Sequence, residues 1–289
     1  MNPVPSARQL EAFRQAGVGP LVLFYEFSCA DAADTDRCRA TLAAVAGKYN
    51  GRLGWAAAEA EVLIGKLAHF QQAAALHFRT RDDAGAYVGC AEHRAALAAC
   101  TALQVAVLGE QPRALKVVTA LLARVLPYWP FDNTLESGEE PGVGTSTTMP
   151  TAAAVAGVRS HPEQDTPVTM INWLKFKPVA SYPAGAAPIS GRNAYLRYGK
   201  IAMAATHSLG AKLIQASRYR QILVGNNGDP AVGLWDEFAL MQYPGRATFG
   251  RMAQLRRYRR GLVDREAGLA EYGQGLTVSR PLEEFVWRR

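Results

Sequence analysis

The sequence predicts an α+β fold: two tandem ferredoxin-like units of order βαββαβ, packed sheet to sheet within one chain. Three observations predict it. Along both halves, period-two apolar runs and runs of period three to four alternate in the same order: strand, helix, strand, strand, helix, strand. A short segment recurs, Glu61-Val62-Leu63-Ile64-Gly65 in the first half and Gln221-Ile222-Leu223-Val224-Gly225 in the second, each leading into a long strand and then a helix. A four-stranded sheet with helices on one side also leaves its other face apolar, and two such sheets bury those faces against each other. The halves are therefore expected to enclose a chamber between their sheets.

In chain order, residues 1–19 read as a leader with one short helix over 7–15. The first unit spans 20–130. A strand is expected over 21–27, then a helix over 31–48 whose acidic opening suits a helix N-terminus. Residues 53–65 make a strand and its continuation, 71–79 the next strand, 82–97 a second helix and 101–108 a closing strand. A further helix over 112–126 opens with Pro112 at a first-turn position and stops before Pro127. Residues 131–166 lack a periodic apolar pattern, apart from an Ala-rich piece over 151–158, and read as a mobile linker. The second unit, 167–289, repeats the order. It has a strand over 168–177, a Pro- and Gly-rich loop, an N-cap at Ser190 and a helix over 191–208. Strands over 211–219 and 221–225 follow, then a turn-rich loop at 226–230, a long strand over 234–243, an unbroken helix to about 269 and a last strand over 276–279. His93-Arg94 in the first unit is matched to Asp264-Arg265 in the second.

Composition narrows the function. The chain contains no run of about eighteen apolar residues, so no membrane span is expected. The opening residues lack the apolar core of a secretory signal, which predicts a cytoplasmic location. Cys29, Cys38, Cys90 and Cys100 form neither Cys-x-x-Cys nor a zinc-type spacing with His, so they are expected to be reduced thiols with no metal site. Net charge is +7 but uneven: residues 1–150 hold 13 basic and 15 acidic residues, and 151–289 hold 19 and 10. That excess in the second unit suits an acidic small molecule, nucleic acid or anionic lipid. Arg256, Arg257 and Arg260 share a helix face but carry no interleaved aromatics, so nucleic acid is not expected. No phosphate loop, nucleophile elbow or zinc-protease motif is present, and no cofactor is expected.

The functional signal concentrates in residues 234–249, Leu-Trp-Asp-Glu-Phe-Ala-Leu-Met-Gln-Tyr-Pro-Gly-Arg-Ala-Thr-Phe. An acidic pair sits among large apolar neighbours, and alternation sends Asp236 and Glu237 to opposite faces, so they cannot act on one atom together. With Asn172-Trp173-Leu174-Lys175-Phe176, the Tyr195/Tyr198 helix face and Arg265-Glu266-Ala267, this stretch resembles the domain-of-unknown-function family 1330, of the dimeric α+β barrel superfamily. The resemblance covers about 167–281 and is faint over 20–110. The family pattern carries Ser after Tyr-Pro and His before the Arg, where this chain has Gly245 and Asp264. The resemblance implies the fold and no established reaction. The wider superfamily includes cofactor-free monooxygenases, lactone isomerases, polyketide cyclases and haem enzymes.

The candidate site follows from residue chemistry. Asp236 or Glu237 is the expected general base, with its pKa raised by burial between the sheets. Arg265 and Lys175 are the expected anion clamp, with salt bridges to the acidic pair as the alternative. Asn172, Tyr195, Tyr198 and Trp235 are expected to line the ligand pocket. His207 is a further candidate for proton transfer, and His77, His93 or His207 could ligate haem iron. The expected function is cofactor-independent chemistry on a small anionic or phenolic organic molecule. The alternatives are a non-catalytic small-molecule binder and, behind it, a haem protein. A homodimer is left open.

Overall fold

The computed structural model describes residues 4–16, 19–129, 134–138, 143–182 and 188–287. Residue 130, parts of the expected linker (131–133 and 139–142) and part of the Pro- and Gly-rich loop (183–187) lie outside the described residues.

The first unit consists of β1 (Leu21–Ser28), α2 (Ala32–Lys48), β2 (Arg52–Ile64), β3 (Gln72–Phe78), α3 (Arg81–Gly89), α4 (Ala91–Leu97) and β4 (Ala102–Gly109), preceded by α1 (Ala7–Gln15). Then come α5 (Arg113–Val125) and α6 (Ala152–Ser160). The second unit holds β5 (Val168–Phe176), α7 (Gly191–Ser208), β6 (Lys212–Val224), β7 (Glu237–Tyr243), α8 (Arg246–Gln254), α9 (Arg256–Gly268) and β8 (Leu269–Pro281). Local chemistry starts the helices: Ser6 and Gln9 form a capping box on α1, and the expected N-cap Ser190 accepts from the Asn193 N–H on α7 at 3.2 Å.

Among the described residues, the eight strands join in one closed antiparallel barrel, in the order β1-β3-β2-β8-β5-β7-β6-β4 and back to β1. Each unit contributes the ferredoxin-like sheet β4-β1-β3-β2 or β8-β5-β7-β6. The long strands β2 and β6 outrun their own sheets and pair with the other unit's last strand, so no edge remains unpaired. The two seams share one register. Glu61, Val62 and Ile64 pair with Val278, Thr277 and Leu276, while Gln221, Ile222 and Val224 pair with Val107, Ala106 and Val105. The recurrent pentapeptide is thus the closure strand of each unit. Each copy ends in a glycine of positive φ, Gly65 (87°) or Gly225 (92°), whose Cβ would stand 2.7 Å from the carbonyl oxygen of Gln274 or Leu103. Only glycine fits such a left-handed turn pressed against another strand.

Three apolar layers result. The barrel interior is filled with side chains of both units, including Phe24, Trp55, Ile171, Trp173, Ile222 and Phe238. Phe24 and Trp173 each lie 4.6 Å from Phe238, ring centroid to ring centroid. The sheets therefore do pack face to face, but their interface is a packed aromatic core, and the expected chamber is not there. The outer face of the first sheet packs on α2, α3 and α4 through Leu23, Tyr25, Phe27, Leu42, Leu76 and Tyr87. The outer face of the second packs on α7, α8 and α9.

Five segments depart from the sequence reading. The strand expected from 234 begins only at Glu237, because the Asp236 carboxylate turns back to accept from the Phe176 N–H (2.8 Å) and pair with Lys175 (3.0 Å). The helix expected to run unbroken to 269 breaks at Leu255, whose extended backbone bridges to Leu135 while the Arg256 N–H bonds to Thr134 O. The first unit's second helix breaks correspondingly at Cys90. The last strand is thirteen residues long rather than four, since β8 must reach both β5 and β2. In the segment read as a mobile linker, the described parts are docked: Met149 and Val158 lie in the second unit's core and Thr148 is buried beside it.

Candidate functional site

On its helix side the second unit holds a cavity of about 1080 Å³. Asn172, Leu174, Ala216, Ala239 and Met241 of β5, β6 and β7 form its floor, and Tyr195, Tyr198, Ala202 and Met203 of α7 its roof. Leu115, Thr119 and Leu122 of α5 close one side. Floor and roof arise from two periodicities: alternate strand residues face outward, and residues three and four apart on α7 face inward. The rim is cationic, carrying Arg192, Arg197, Lys200, Arg218 and Arg220, all exposed. An apolar floor beneath guanidinium groups suits a ligand with a flat or aliphatic body and an anionic end.

The polar groups in the wall are few. Glu237 is bound by the Arg192 Nε at 2.6 Å and sits opposite Arg218 in the β6–β7 register. Asn172 accepts from Gln274 Nε2 (3.2 Å), and Gln274 in turn accepts from the Arg265 guanidinium. Arg265 is buried, also donates to Thr148 O, touches the Met149 sulfur, and lies 5.9 Å from the centre of the Tyr198 ring. Burial, with Tyr198 beside it, pushes the Tyr195 hydroxyl well above its usual pKa, and burial does the same to Tyr243; both remain neutral donors. The Tyr198 hydroxyl donates to Tyr258 at 3.2 Å.

The residues singled out in the sequence divide between two places. Asn172, Tyr195, Tyr198 and Glu237 line the cavity. Lys175, Trp235 and Asp236 line a second, more open cleft of about 1190 Å³ at the barrel end, and Glu237 lines both, as do Arg192, Arg218 and Arg220 of the rim. Asp236 and Lys175 are occupied with each other, so neither a free base nor an anion clamp is formed by them. Arg265 is not part of the cavity wall. It spends its donors on Gln274 and the 148–149 segment, one layer behind Asn172. His207 lies outside the cavity wall, its Nδ1 2.9 Å from Met203 O, and burial lowers its pKa against the pull of the Met203 and Thr119 carbonyls, so it is neutral. Among the described residues the cavity wall contains no histidine, so it presents no imidazole to haem iron. On α9, Arg256 pairs with Glu136 (3.2 Å) and Arg257 donates to Ser208 Oγ (2.6 Å), so this part of the basic excess holds structure together.

Sequence reasoning missed the rim and one buried acid. Arg218 and Arg220 alternate on β6, a period-two signal for a shared face. Glu26 is the acid, in the otherwise apolar run Leu21–Phe27. It points into the barrel, where burial raises its pKa to about 7 against hydrogen bonds from Trp173 and Gln104. Running the shared seam register through β1 and β5 places Trp173 at the position equivalent to Glu26. Two pseudo-equivalent residues that touch lie beside the axis relating the units.

No family model matches this sequence, and no curated protein does. Among solved structures, a Rhodopseudomonas palustris protein of unknown function is 24% identical, with 51% of this chain aligned to 99% of that one at a TM-score of 0.41. A methylated form of it is 26% identical over 49% and 99%, at 0.42. A chlorite dismutase mutant from Candidatus Nitrospira defluvii is 14% identical over 92% of each chain, at 0.40. The assignment to the dimeric α+β barrel architecture rests on the strand pairing itself.

Proposed function

We propose that the chain binds a small anionic or phenolic organic molecule in the 1080 Å³ cavity of its second unit. The observation that carries this is the pairing of an apolar, tyrosine-roofed cavity with five exposed cationic side chains at its mouth. Arg218 and Arg220 would hold the anionic end, Asn172 and the Tyr195 hydroxyl would orient the polar groups of the ligand, and Met241 and Ala239 would carry its body. Both members of the acidic pair are engaged by cations, which favours binding over catalysis. Membership of the second unit in the domain-of-unknown-function family 1330 is part of the same proposal.

Cofactor-independent proton transfer is the second reading, and one observation favours it: Glu237 stands in the cavity wall, half-buried, within reach of whatever displaces Arg192. Asp236, Arg265 and His207 would then act only through the structure around the site.

The test is calorimetric titration with benzoate, 4-hydroxybenzoate and decanoate. Wild-type protein is expected to bind at least one of these acids, more weakly as salt is raised. Arg218→Ala/Arg220→Ala should weaken that binding by about tenfold or more and flatten its salt dependence. Absence of binding at millimolar concentration, or equal binding by the double variant, would refute the assignment. For the second reading, Glu237→Gln should bind the same acid and abolish any turnover. A homodimer would most readily use the exposed apolar face of α5 (Val117, Leu121, Val125) with Tyr128 and Trp129, and light scattering on the purified chain tests it.

A further inference from the structure

The first unit holds a group of side chains that the cavity does not use. Cys29 follows the last residue of β1, Cys38 lies on the inward face of α2, and Cys100 lies in the turn between α4 and β4. Cys100 Sγ is 3.8 Å from Cys38 Sγ and 4.0 Å from Cys29 Sγ, and all three sulfurs lie within 4.8 Å of one another. The fold fixes this convergence. The β1–β4 ladder pairs Ser28 with Ala102, and the Thr101 N–H bonds to Ser28 O at 2.8 Å. Gln71 Oε1 accepts from both the Cys29 N–H (3.1 Å) and Thr35 Oγ1 (2.8 Å), which ties the end of β1 to α2. Cys29 and Cys38 are buried and Cys100 is partly exposed, so the trio forms a cup with one side toward solvent. Among the described residues no His, Asp or Glu joins the group.

We propose that Cys29, Cys38 and Cys100 form a three-thiolate site for one soft monovalent cation of the Cu(I) class. Metal–sulfur bonds of about 2.3 Å in a trigonal plane place the sulfurs about 4.0 Å apart, and the separations of 3.8 Å and 4.0 Å from Cys100 lie close to that spacing. Zn²⁺ in a structural site takes four ligands, and the cup offers three, all sulfur, a set that selects Cu(I) over harder ions. Loading forms three metal–sulfur bonds, breaks three S–H bonds and releases three protons to solvent, with no change of oxidation state. Burial and the adjoining Cys100 push the Cys29 thiol up, and the hydrogen bond with Cys38, with burial, pushes Cys100 up. Cys90 stands apart, its sulfur accepting from the His93 N–H at 3.3 Å to cap α4, and it is the internal control.

The experiment is an anaerobic titration of the reduced full chain with Cu(I) against the chromophoric chelator bathocuproine disulfonate, with a parallel Zn(II) titration and X-ray absorption of the Cu(I) complex. The expected result is one Cu(I) withdrawn per chain, three sulfurs at about 2.3 Å, and weaker retention of Zn(II). Cys90→Ser should titrate like wild type. Loss of a ligand should exceed the 10–100-fold cost of losing a supporting contact, so Cys100→Ser and Cys100→Ala should each weaken binding by about 100-fold or more. Near-ultraviolet dichroism checks that these variants fold, and if they do not, the sulfur count of the wild-type complex decides. The proposal is overturned if the reduced chain withdraws no Cu(I), if folded Cys100→Ser competes like wild type, if only two sulfurs surround the metal, or if Cys90→Ser abolishes binding.

Discussion

The helix-facing sides of the two sheets begin from equivalent backbones and end differently. The shared seam register makes Tyr25 the counterpart of Asn172, and Ala74 the counterpart of Ala239. In the first unit the large residue wins: Tyr25 is fully buried, hydrogen-bonded to His93 Nε2 at 3.0 Å, and packed with Tyr87 and Leu42. In the second, a short amide takes its place, and Ala239 and Ala216 face each other across the ladder without filling the space above them. The buried position on the second helix also differs. His93 holds it in the first unit and Arg265 in the second, while Arg94, matched to Arg265 in sequence, is exposed. One copy of the fold has thus become a packed support and the other has kept a hollow, a division that duplication within one chain permits.

The same substitution at the two matched alanines gives the widest contrast. Ala74→Phe enters a packed layer and should cost about 3 kcal/mol by chemical denaturation. Ala239→Phe enters the cavity and should change stability by less than about 1 kcal/mol. Equal costs would break the comparison. Arg265→Ala leaves Thr148 O and Gln274 without their buried donor and should cost about 2 kcal/mol, with earlier proteolysis within 143–160 as its local signature. An unchanged melting temperature would return Arg265 to the list of ligand-binding candidates.

A pH series sharpens the contrast further. Glu26 titrates near 7 when folded instead of 4.5, so the stability tied to its protonated form is complete below about pH 4.5 and lost as pH rises through 7. Burial lowers His93 from 6.5 to about 4, so its contribution is complete above 6.5 and lost as pH falls through 4. Each shift corresponds to roughly 3 kcal/mol. In the wild type the two largely cancel between pH 4.5 and 6.5. Glu26→Gln should therefore raise stability at pH 7.5 by about 2 kcal/mol and expose a rise of stability with pH across that window. A flat profile in the variant would contradict the assignment of the titrating pair. Tyr25→Phe should cost about 1 kcal/mol by chemical denaturation, the loss of one buried hydrogen bond, and an unchanged midpoint would remove that bond from the packed layer.

The strand and helix order and the duplication were legible because periodicity and a recurring pentapeptide report local structure directly. The alternation that separated Asp236 from Glu237 was legible too, and so was the inward face of α7 with Tyr195 and Tyr198. What was not legible depends on contacts between distant segments. Arg265 is occupied by residues 148, 149 and 274. Helix breaks at Leu255 and Cys90 follow from a bridge to Leu135 and from a sulfur cap. The three sulfurs meet only because β4 lies beside β1. The expected chamber between the sheets failed for a volumetric reason: Phe24, Trp55, Trp173 and Phe238 fill the barrel, and the hollow is displaced to the side where α7 and α5 stand off the second sheet.

The most direct test of this account is calorimetric titration of the acid that the wild type binds, among benzoate, 4-hydroxybenzoate and decanoate, into wild-type protein and into Ala239→Phe. One equivalent bound by the wild type, with none bound by a variant that melts at the wild-type temperature, is the predicted result. Equal binding by both proteins would place the ligand elsewhere and contradict the account.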